Sequence, residues 1–476
     1  MLFMKSQIIS KIKSDKVLNE LANLLPAGAN AYIVGGTVRD FAIGKDVFDR
    51  DVIVEGISAK SFAQTLEVHF GGTLILLDEV NNIYRVVLSD KLNYIDIVEP
   101  LENSLEKDIL RRDLTINSVA VNLETFEIVD ITEGLRDLAE GIIRCVNAKN
   151  FEDDPLRLLR VFRFQALTGF KIDSVTLKLV KKYANYIVEP SKERVNYEIM
   201  KLFSGKWTYD SLVSADEAGL LEFIFPFIAE LKKVPPNSHH HLNLFYHSLE
   251  VVRQIQILFD NSDKEVKEHL GAVDFGGFAR LAHLKLAGFM HDIGKFSTWT
   301  IEEDTGRHRF IKHDDLGAKM SIPYLKSMKF SKKQINYISS MIKFHIYPSS
   351  VMSVPEITEK IMMRYVRRMA ENSIDEIILA KADRLSARGR EITDKIVNDN
   401  ISRLNRLSEF YLSVKDQLKP LPILLDGNEI MQMYNLPPSP TVGKIMAKLH
   451  DAQLAGDVLD KNQAINFVNS LDFEKN

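Results

Sequence analysis

The stretch YIVGGTVRD at residues 32–40, with DRDVIV at residues 49–54 close behind, decides how the first third of the chain is read. Two β-rich runs flank a glycine pair and the start of a helix. Gly35 and Gly36 let the backbone approach a phosphate closely, and the N–H groups of a turn and helix start can hold one. Arg39 follows one helical turn later and supplies a cation. By itself the glycine pair would read equally well as a plain strand-to-helix turn. DRD changes that balance. Side chains two apart in a strand share a face, which puts Asp49 and Asp51 together, about 7 Å apart at their Cα atoms, and turns Arg50 away. Two carboxylates beside a phosphate-type turn make a seat for Mg²⁺. A pair of such ions would activate an attacking hydroxyl and hold the leaving phosphates. Asp96, in YIDIV, is a weaker candidate for a third carboxylate.

Outward from this core the pattern stays mixed. TLILL, YRVVL, YIDIV, INSVAVNL and FEIVDI read as short strands, and SAKSFAQTLEVHF has helical spacing, so the first 140 residues read as an α/β domain. RRDLTIN at 111–117 sets Arg111 and Arg112 beside Asp113, a group able to clamp a triphosphate and touch a ribose hydroxyl. VDITEGLRDL reads as a turn bracing the site. From residue 151 strand signals vanish. DDPLRLLRVFRF at 153–164 predicts a helix opening on Asp153 and Asp154, where the dipole favours acids, with Pro155 in its first turn. Arg157, Arg160 and Arg163 are spaced by three among leucines, valine and phenylalanine. The helix is therefore largely buried, and its arginines need anionic partners.

A chain of 476 residues suggests about three domains. Its net charge of −4 means that any nucleic-acid binding must use local patches, of which the lysine and arginine clusters at 326–343 and 381–406 are candidates. The single cysteine, Cys145, excludes a disulfide framework and a thiolate zinc site. No apolar run is long enough to span a membrane, and the lysine-interrupted N-terminus does not read as a signal peptide, so a cytoplasmic protein is expected. Proline-rich breaks fall at 234–238 (VPPNS) and 419–425 (KPLPILL).

A second constellation lies further on. His247 sits in HLNLFYHSLEV, His291 and Asp292 in MHDIGK, with His313, His345 and Asp383 beyond. No local spacing defines a metal site, and a lone histidine on an apolar helix is more often structural. An apolar helix that ends in His-Asp and then Gly-Lys nevertheless places two good metal ligands at a helix terminus.

GGTVRD, DRD, RRDLTIN, DITEGLRDL, DDPLRLLRVFRF and SKERVNYEI, in this order over roughly the first 205 residues, resemble the motif series of the class II tRNA nucleotidyltransferase and bacterial poly(A) polymerase family. The resemblance implies an α+β architecture: a polymerase-β-like head with a mixed sheet, then an all-α neck. It implies that Asp49 and Asp51 bind Mg²⁺, and that Gly35, Gly36, Arg39, Arg112 and Asp113 serve the incoming nucleotide. Asp154 and Arg157 match the positions that read the base, with Asp153 replacing the family's leading glutamate, while Arg160 and Arg163 face the phosphates. One donor and one acceptor side chain could match C and A and leave G and U with an unmet hydrogen bond, at about 1–3 kcal/mol. No nucleic-acid template is then required. Only 14 residues (97–110) separate Asp96 from Arg111. Family members that add all of CCA carry a longer flexible segment there, so the resemblance leaves two products open: C followed by A, or CC alone from a CC-adding specialist whose end a separate A-adding enzyme finishes.

Residues from about 240 to 400 resemble the HD phosphohydrolase domain. That resemblance implies His247, His291, Asp292 and Asp383 as ligands of Mg²⁺ or of a divalent transition metal. His313 and His345 would stand nearby for a second metal or a substrate phosphate, with Lys295 on phosphate. The tail DGNEIMQMYNLPPSPTVGKIMAKLHDAQLAG resembles HD-containing members of the nucleotidyltransferase family, which bacterial poly(A) polymerases lack. The expected organisation is a catalytic head at 1–140, a neck at 141–235, an HD domain at 236–405 and a helical tail at 406–476. The expected partners are tRNA, CTP and ATP, with no membrane. A poly(A)-type polymerase on general RNA, an HD hydrolase with an RNA-binding head and a non-catalytic tRNA-binding module are the competing readings.

Overall fold

The computed structural model describes residues 2–79 and 81–472, so the last four residues of the expected tail lie outside the described residues. The chain forms two compact units, 1–226 and 227–476. The division falls ahead of the VPPNS break. Helix Ile228–Lys233 buries Ile228 and Leu231, and Phe227 packs on Phe289 and Tyr324 at 6.3 and 5.5 Å between ring centres. That short helix is thereby tied to the second unit by aromatic packing which the prolines only follow. Among the described residues no helix is long and apolar enough to cross a membrane.

The first unit is built on a seven-stranded sheet. Its strands are β1 (Asn30–Val34), β2 (Asp49–Glu55), β3 (Thr73–Asp78), β4 (Ile83–Val87), β5 (Tyr94–Val98), β6 (Ala120–Asn122) and β7 (Ile128–Val129), in the order β3-β4-β5-β2-β1-β6-β7. β2 lies at the centre, antiparallel to β1 and parallel to β5. Val52, Ile53 and Val54 are all buried, as a strand covered on both faces requires. Arg50 points to the opposite face from Asp49 and Asp51 and is bound there by Asp15 at 2.7 Å. Strand β3 forms an edge and leaves Ile75, Leu76 and Leu77 exposed.

INSVAVNL is a strand only at Ala120–Asn122; Thr115–Asn117 is a 3₁₀ turn instead. Its polar side chains explain the difference. The Thr115 hydroxyl donates to Asp137 at 2.6 Å and the Asn117 amide to Asp113 at 3.0 Å, a local bonding that competes with strand pairing. In DITEGLRDL, the Asp130 carboxylate accepts from the N–H groups of Gly134 and Leu135, capping helix Gly134–Glu140 against that turn. The DDPLRLLRVFRF helix runs over Leu156–Thr168, with Pro155 at its N-cap; Asp153 ends a preceding short helix, Lys149–Asp153. Strand signals do not vanish altogether after residue 151: Lys171–Ile172 pairs with Ile142–Ile143, and two short hairpins stand in the second unit. Cys145 is buried, its N–H donates to the Thr176 hydroxyl at 3.0 Å, and burial pushes its thiol up.

The second unit is helical. Helices Leu244–Asp260, Arg280–Met290 and Ser373–Ser386 carry its most buried faces. A polar network is sunk among them: His269 and Tyr337 each meet the Asp375 carboxylate at 2.6 Å, and Arg280 lies 3.3 Å away. Beside it, His283 donates through Nδ1 to the Ala279 carbonyl at 3.0 Å, and burial holds the ring at about 4. Above the ordinary histidine value near 6.5 the ring is neutral folded or unfolded. Between 6.5 and 4 the unfolded chain takes up a proton that the folded one refuses, so stability falls as pH drops through that window. Urea unfolding at pH 7 and pH 4.5 should show a loss of about 2–3 kcal/mol from this group. His283→Gln should remove that part of the pH dependence; an unchanged slope would contradict it.

Candidate active sites

The head cavity, about 680 Å³ in volume, gathers Asp49, Asp51 and the residues expected to bind nucleotide, whereas Asp96 and Asp153 do not line it. Gly35 joins β1 to helix Gly36–Ala42 with φ +64°, and a Cβ there would stand 2.9 Å from Arg112 Nη1 and 3.0 Å from Asp51 Oδ2. Glycine is thus demanded by backbone conformation and by crowding at once. Asp49 lies at the exposed start of β2, and Asp51 is sunk one step further in. Burial pushes the Asp51 carboxyl up; Arg112 partly offsets this, and Asp96 and Asp49 add to it. Crowded carboxylates of this kind are what a divalent cation relieves.

Asp96 stands level with Asp51 across the parallel β2–β5 pair, yet both its oxygens are taken by Arg85 at 2.7 Å each. It acts on Asp51 through its charge and is itself closed by that ion pair. Asp113 departs from the expected ribose contact as well. It is 5 % exposed, accepts from Arg160 at 2.6 Å and from the Asn117 amide at 3.0 Å. Burial would raise its carboxyl, but Arg160, the Asn117 hydrogen bond and Arg163 together hold it well below the usual range. Its role is to seat Arg160.

Of the three arginines expected to need anionic partners, Arg160 pairs with Asp113 and Arg163 with Glu198, whereas Arg157 donates to a backbone carbonyl instead. Arg163 donates to Glu198 at 2.9 Å, and burial together with Arg160 lowers its guanidinium to about 10. Arg39 donates to Asn117 at 2.7 Å, and Arg112 to Asp108 at 3.0 Å. Arg39, Arg160 and Arg163 lie over the single ring of Phe164 at 4.8, 5.6 and 4.2 Å. Three cations converge on one aromatic ring beside the glycine turn, an arrangement suited to a polyphosphate. Asp154 and Arg157 both line the cavity, and the Arg157 backbone N–H donates to the Asp154 carbonyl at 3.0 Å, while their side chains are held by other partners. Asp154 accepts from Arg194 at 2.8 Å, and Arg157 donates to the Asn150 carbonyl at 3.2 Å. Phe164, Asp108, Arg194 and Glu198 were missed from sequence. Phe164 hides in an apolar run, Asp108 acts on its near neighbours Arg111 and Arg112, and Arg194 and Glu198 act across separate helices.

In the second unit six residues meet at one buried point. The carboxylate of Asp292 is shared by two groups, His247 with His291 and His313 with His345, whose ligand atoms lie within 4.8 Å of one another. Its Oδ2 is 3.2 Å from His291 Nε2 and 3.6 Å from His247 Nε2; its Oδ1 is 3.3 Å from His313 Nε2 and 3.6 Å from His345 Nε2. Asp383 Oδ1 comes within 3.1 Å of His247. His291, His313 and His345 donate through Nδ1 to the carbonyls of Gly288, Phe310 and Ile342 at 2.7–2.8 Å, which turns each Nε2 lone pair inward. His247 Nε2, His291 Nε2, Asp292 Oδ1 and Asp383 Oδ1 are buried without a hydrogen-bond partner. Unmet lone pairs aimed at one point, on nitrogen and oxygen, fit divalent cations. Lys295 lies 2.6 Å from Asp292 Oδ2. A cavity of about 370 Å³ opens at this point, with Arg307, Arg309 and Arg384 on its walls. These three arginines, and His240 stacked edge-on against His247 at 4.5 Å, were not singled out from sequence.

Fold and sites define a nucleotidyltransferase head and an HD metal centre on one chain. Residues 31–144 match the poly A polymerase head domain family, 169–232 the probable RNA- and SrmB-binding site of polymerase A, and 244–388 the HD domain family. The chain is 28 % identical over 450 residues to an A-adding tRNA nucleotidyltransferase of Deinococcus radiodurans, covering 94 % of this chain and 96 % of that one. It is 28 % identical over 445 residues to a CC-adding tRNA nucleotidyltransferase of Thermus thermophilus, covering 92 % and 93 %. A Thermotoga maritima CCA-adding enzyme solved in complex with a tRNA shares the fold at TM-score 0.57 and 21 % identity, covering 98 % of both chains. The chain belongs to the tRNA nucleotidyltransferase and poly(A) polymerase family and carries an HD domain. Nucleotidyltransferase and HD domains generally work with divalent metal ions.

Proposed function

We propose that the head and neck transfer CMP from CTP to the 3′ hydroxyl of tRNA without a template, releasing pyrophosphate. The observation that carries this reading is one cavity holding Asp49 and Asp51 together with Asp154 and Arg157. Asp49 and Asp51 would hold Mg²⁺, which supplies activation of the attacking hydroxyl and charge for the leaving phosphates. Arg39, Arg112, Arg160 and Arg163 bind the triphosphate against the glycine turn, and Asp113 and Glu198 keep two of those arginines in place. Arg157 donates to the base and Asp154 accepts from it; Arg194 keeps the Asp154 carboxylate oriented. Losing the donor should loosen base choice. Arg157→Ala should lower the preference for CTP over UTP, measured as a ratio of kcat/KM, by about tenfold, in line with 1–3 kcal/mol for an unmet hydrogen bond.

The connection at 97–110 supports CC addition. It is spent on the 3₁₀ turn Leu101–Asn103 and helix Leu105–Leu110, which leaves no long loop to reshape the pocket for ATP. A separate A-adding enzyme would complete the end. The four-part organisation at 1–140, 141–235, 236–405 and 406–476 and a cytoplasmic address go with this reading. In the HD domain, His247, His291, Asp292 and Asp383 would hold one divalent ion and His313 and His345 a second, shared through Asp292. Bound metal there supplies an activated water. Lys295, Arg307 and Arg384 draw a phosphoester to it, such as an RNA 3′ phosphate or a 2′,3′-cyclic phosphate.

The deciding experiment supplies tRNA ending before, between and after the two terminal cytidines, each with CTP, ATP or both, and sequences the products. Two cytidines and no adenosine are expected. Adenosine added only after the second cytidine would reassign the chain as an A-adding enzyme, and equal tailing of unrelated RNA would favour poly(A)-type activity.

A further inference from the structure

Arg194, Tyr197, Glu198 and Lys201 share one face of helix Lys192–Phe203, at the three- and four-residue spacing of helical neighbours. Arg194 and Glu198 are engaged by Asp154 and Arg163. Tyr197 and Lys201 also line the head cavity, and neither base reading nor triphosphate binding uses them. The Tyr197 side chain is 52 % exposed, and Lys201 Nζ lies 5.4 Å from the centre of its ring. Core packing does not call for a large aromatic left half in water. An aromatic face next to a cation at the mouth of a nucleotide cavity is the combination that grips a single strand: the ring takes a base and the cation takes its phosphate.

The place of the ring in the cavity says which nucleotide it meets. Asp51 presses on the glycine turn, where the triphosphate goes. Asp49, at the outer end of β2, and Tyr197 are both exposed and line the same cavity. The ring is thus open to the side from which the 3′ end of the strand being extended must arrive.

Resting on the nucleotidyltransferase reading of the head, we propose that Tyr197 is a positioning residue that stacks on the last base of the growing RNA 3′ end, with Lys201 on the adjoining phosphate. Stacking is indifferent to base identity, which suits a strand whose last base changes after each addition. The test measures steady-state kinetics of the full chain with tRNA lacking its CCA end. Tyr197→Ala should raise KM for tRNA about tenfold or more and leave KM for CTP and kcat within about twofold. Tyr197→Phe and Tyr197→Trp should restore it, and Lys201→Gln should flatten the salt dependence of KM for tRNA. A rise in KM for CTP alone, an unchanged KM for tRNA, or failure of the aromatic variants to rescue would overturn the proposal. The Trp variant keeps the test decisive should the Ala variant unfold. Wild-type protein that adds no nucleotide at all would be a different failure, that of the head reading itself.

Discussion

Asp51→Asn is expected to cut nucleotide addition at least about a thousandfold while the head stays folded, because the lost interaction with metal and developing charge is worth several kcal/mol. The substitution keeps size and shape and removes one charge. Asp51 is half-buried beside Asp49 and Asp96, and loss of water, joined by their repulsion, already pushes its carboxyl up. Removing that charge relieves strain in the metal-free chain, so the unfolding temperature should hold or rise. The neighbouring Arg50 provides the contrast. It points to the other face and is bound to Asp15, so Arg50→Met should lower stability without acting directly on the cavity. Primer extension followed by gel or sequencing reads the first effect, and thermal unfolding the second. Addition that survives Asp51→Asn would remove the basis of the head reading.

Asp292→Asn should empty the HD centre with comparable force. Its carboxylate is common to both groups of ligands, so a single change removes an anionic ligand from each. Metal analysis of the purified full chain should show bound divalent ion falling to near zero. Hydrolysis of bis-p-nitrophenyl phosphate should fall at least about a thousandfold, and CTP addition to tRNA should be untouched. His313→Ala affects one group only and should leave the other ion bound. Metal-loaded wild-type protein should also unfold at a higher temperature than chelator-treated protein, and Asp292→Asn should not. Full metal content in the Asn variant would show that the six residues converge for another reason.

Much of the head was legible because its signals are local. The two-residue period of a strand is enough to place Asp49 and Asp51 together and Arg50 apart, and a glycine pair before a helix marks a turn whatever packs on it. What stayed hidden joins distant segments. Arg85 closes Asp96 from the next strand, Glu198 receives Arg163 from another helix, and Phe164 gathers three arginines that no spacing rule connects. INSVAVNL reads as a strand by composition, yet the side-chain bonds of Thr115 and Asn117 bend it into a turn. Beyond the adjacent His291 and Asp292, the HD residues were legible only through resemblance to a family. His247, His291, His313, His345 and Asp383 come from separate segments, and no local pattern shows that Asp292 lies between two pairs of imidazoles.

The lone thiol has a practical consequence. Cys145 is shut inside the first unit and burial keeps its sulfur protonated, so maleimide dyes should pass over it. A cysteine introduced at an exposed position, such as Leu92 or Ile423, would then take the label by itself, with no need to strip the native residue first. Fluorescent reporters can be installed in either unit on an otherwise unaltered chain, which opens RNA binding to single-molecule observation.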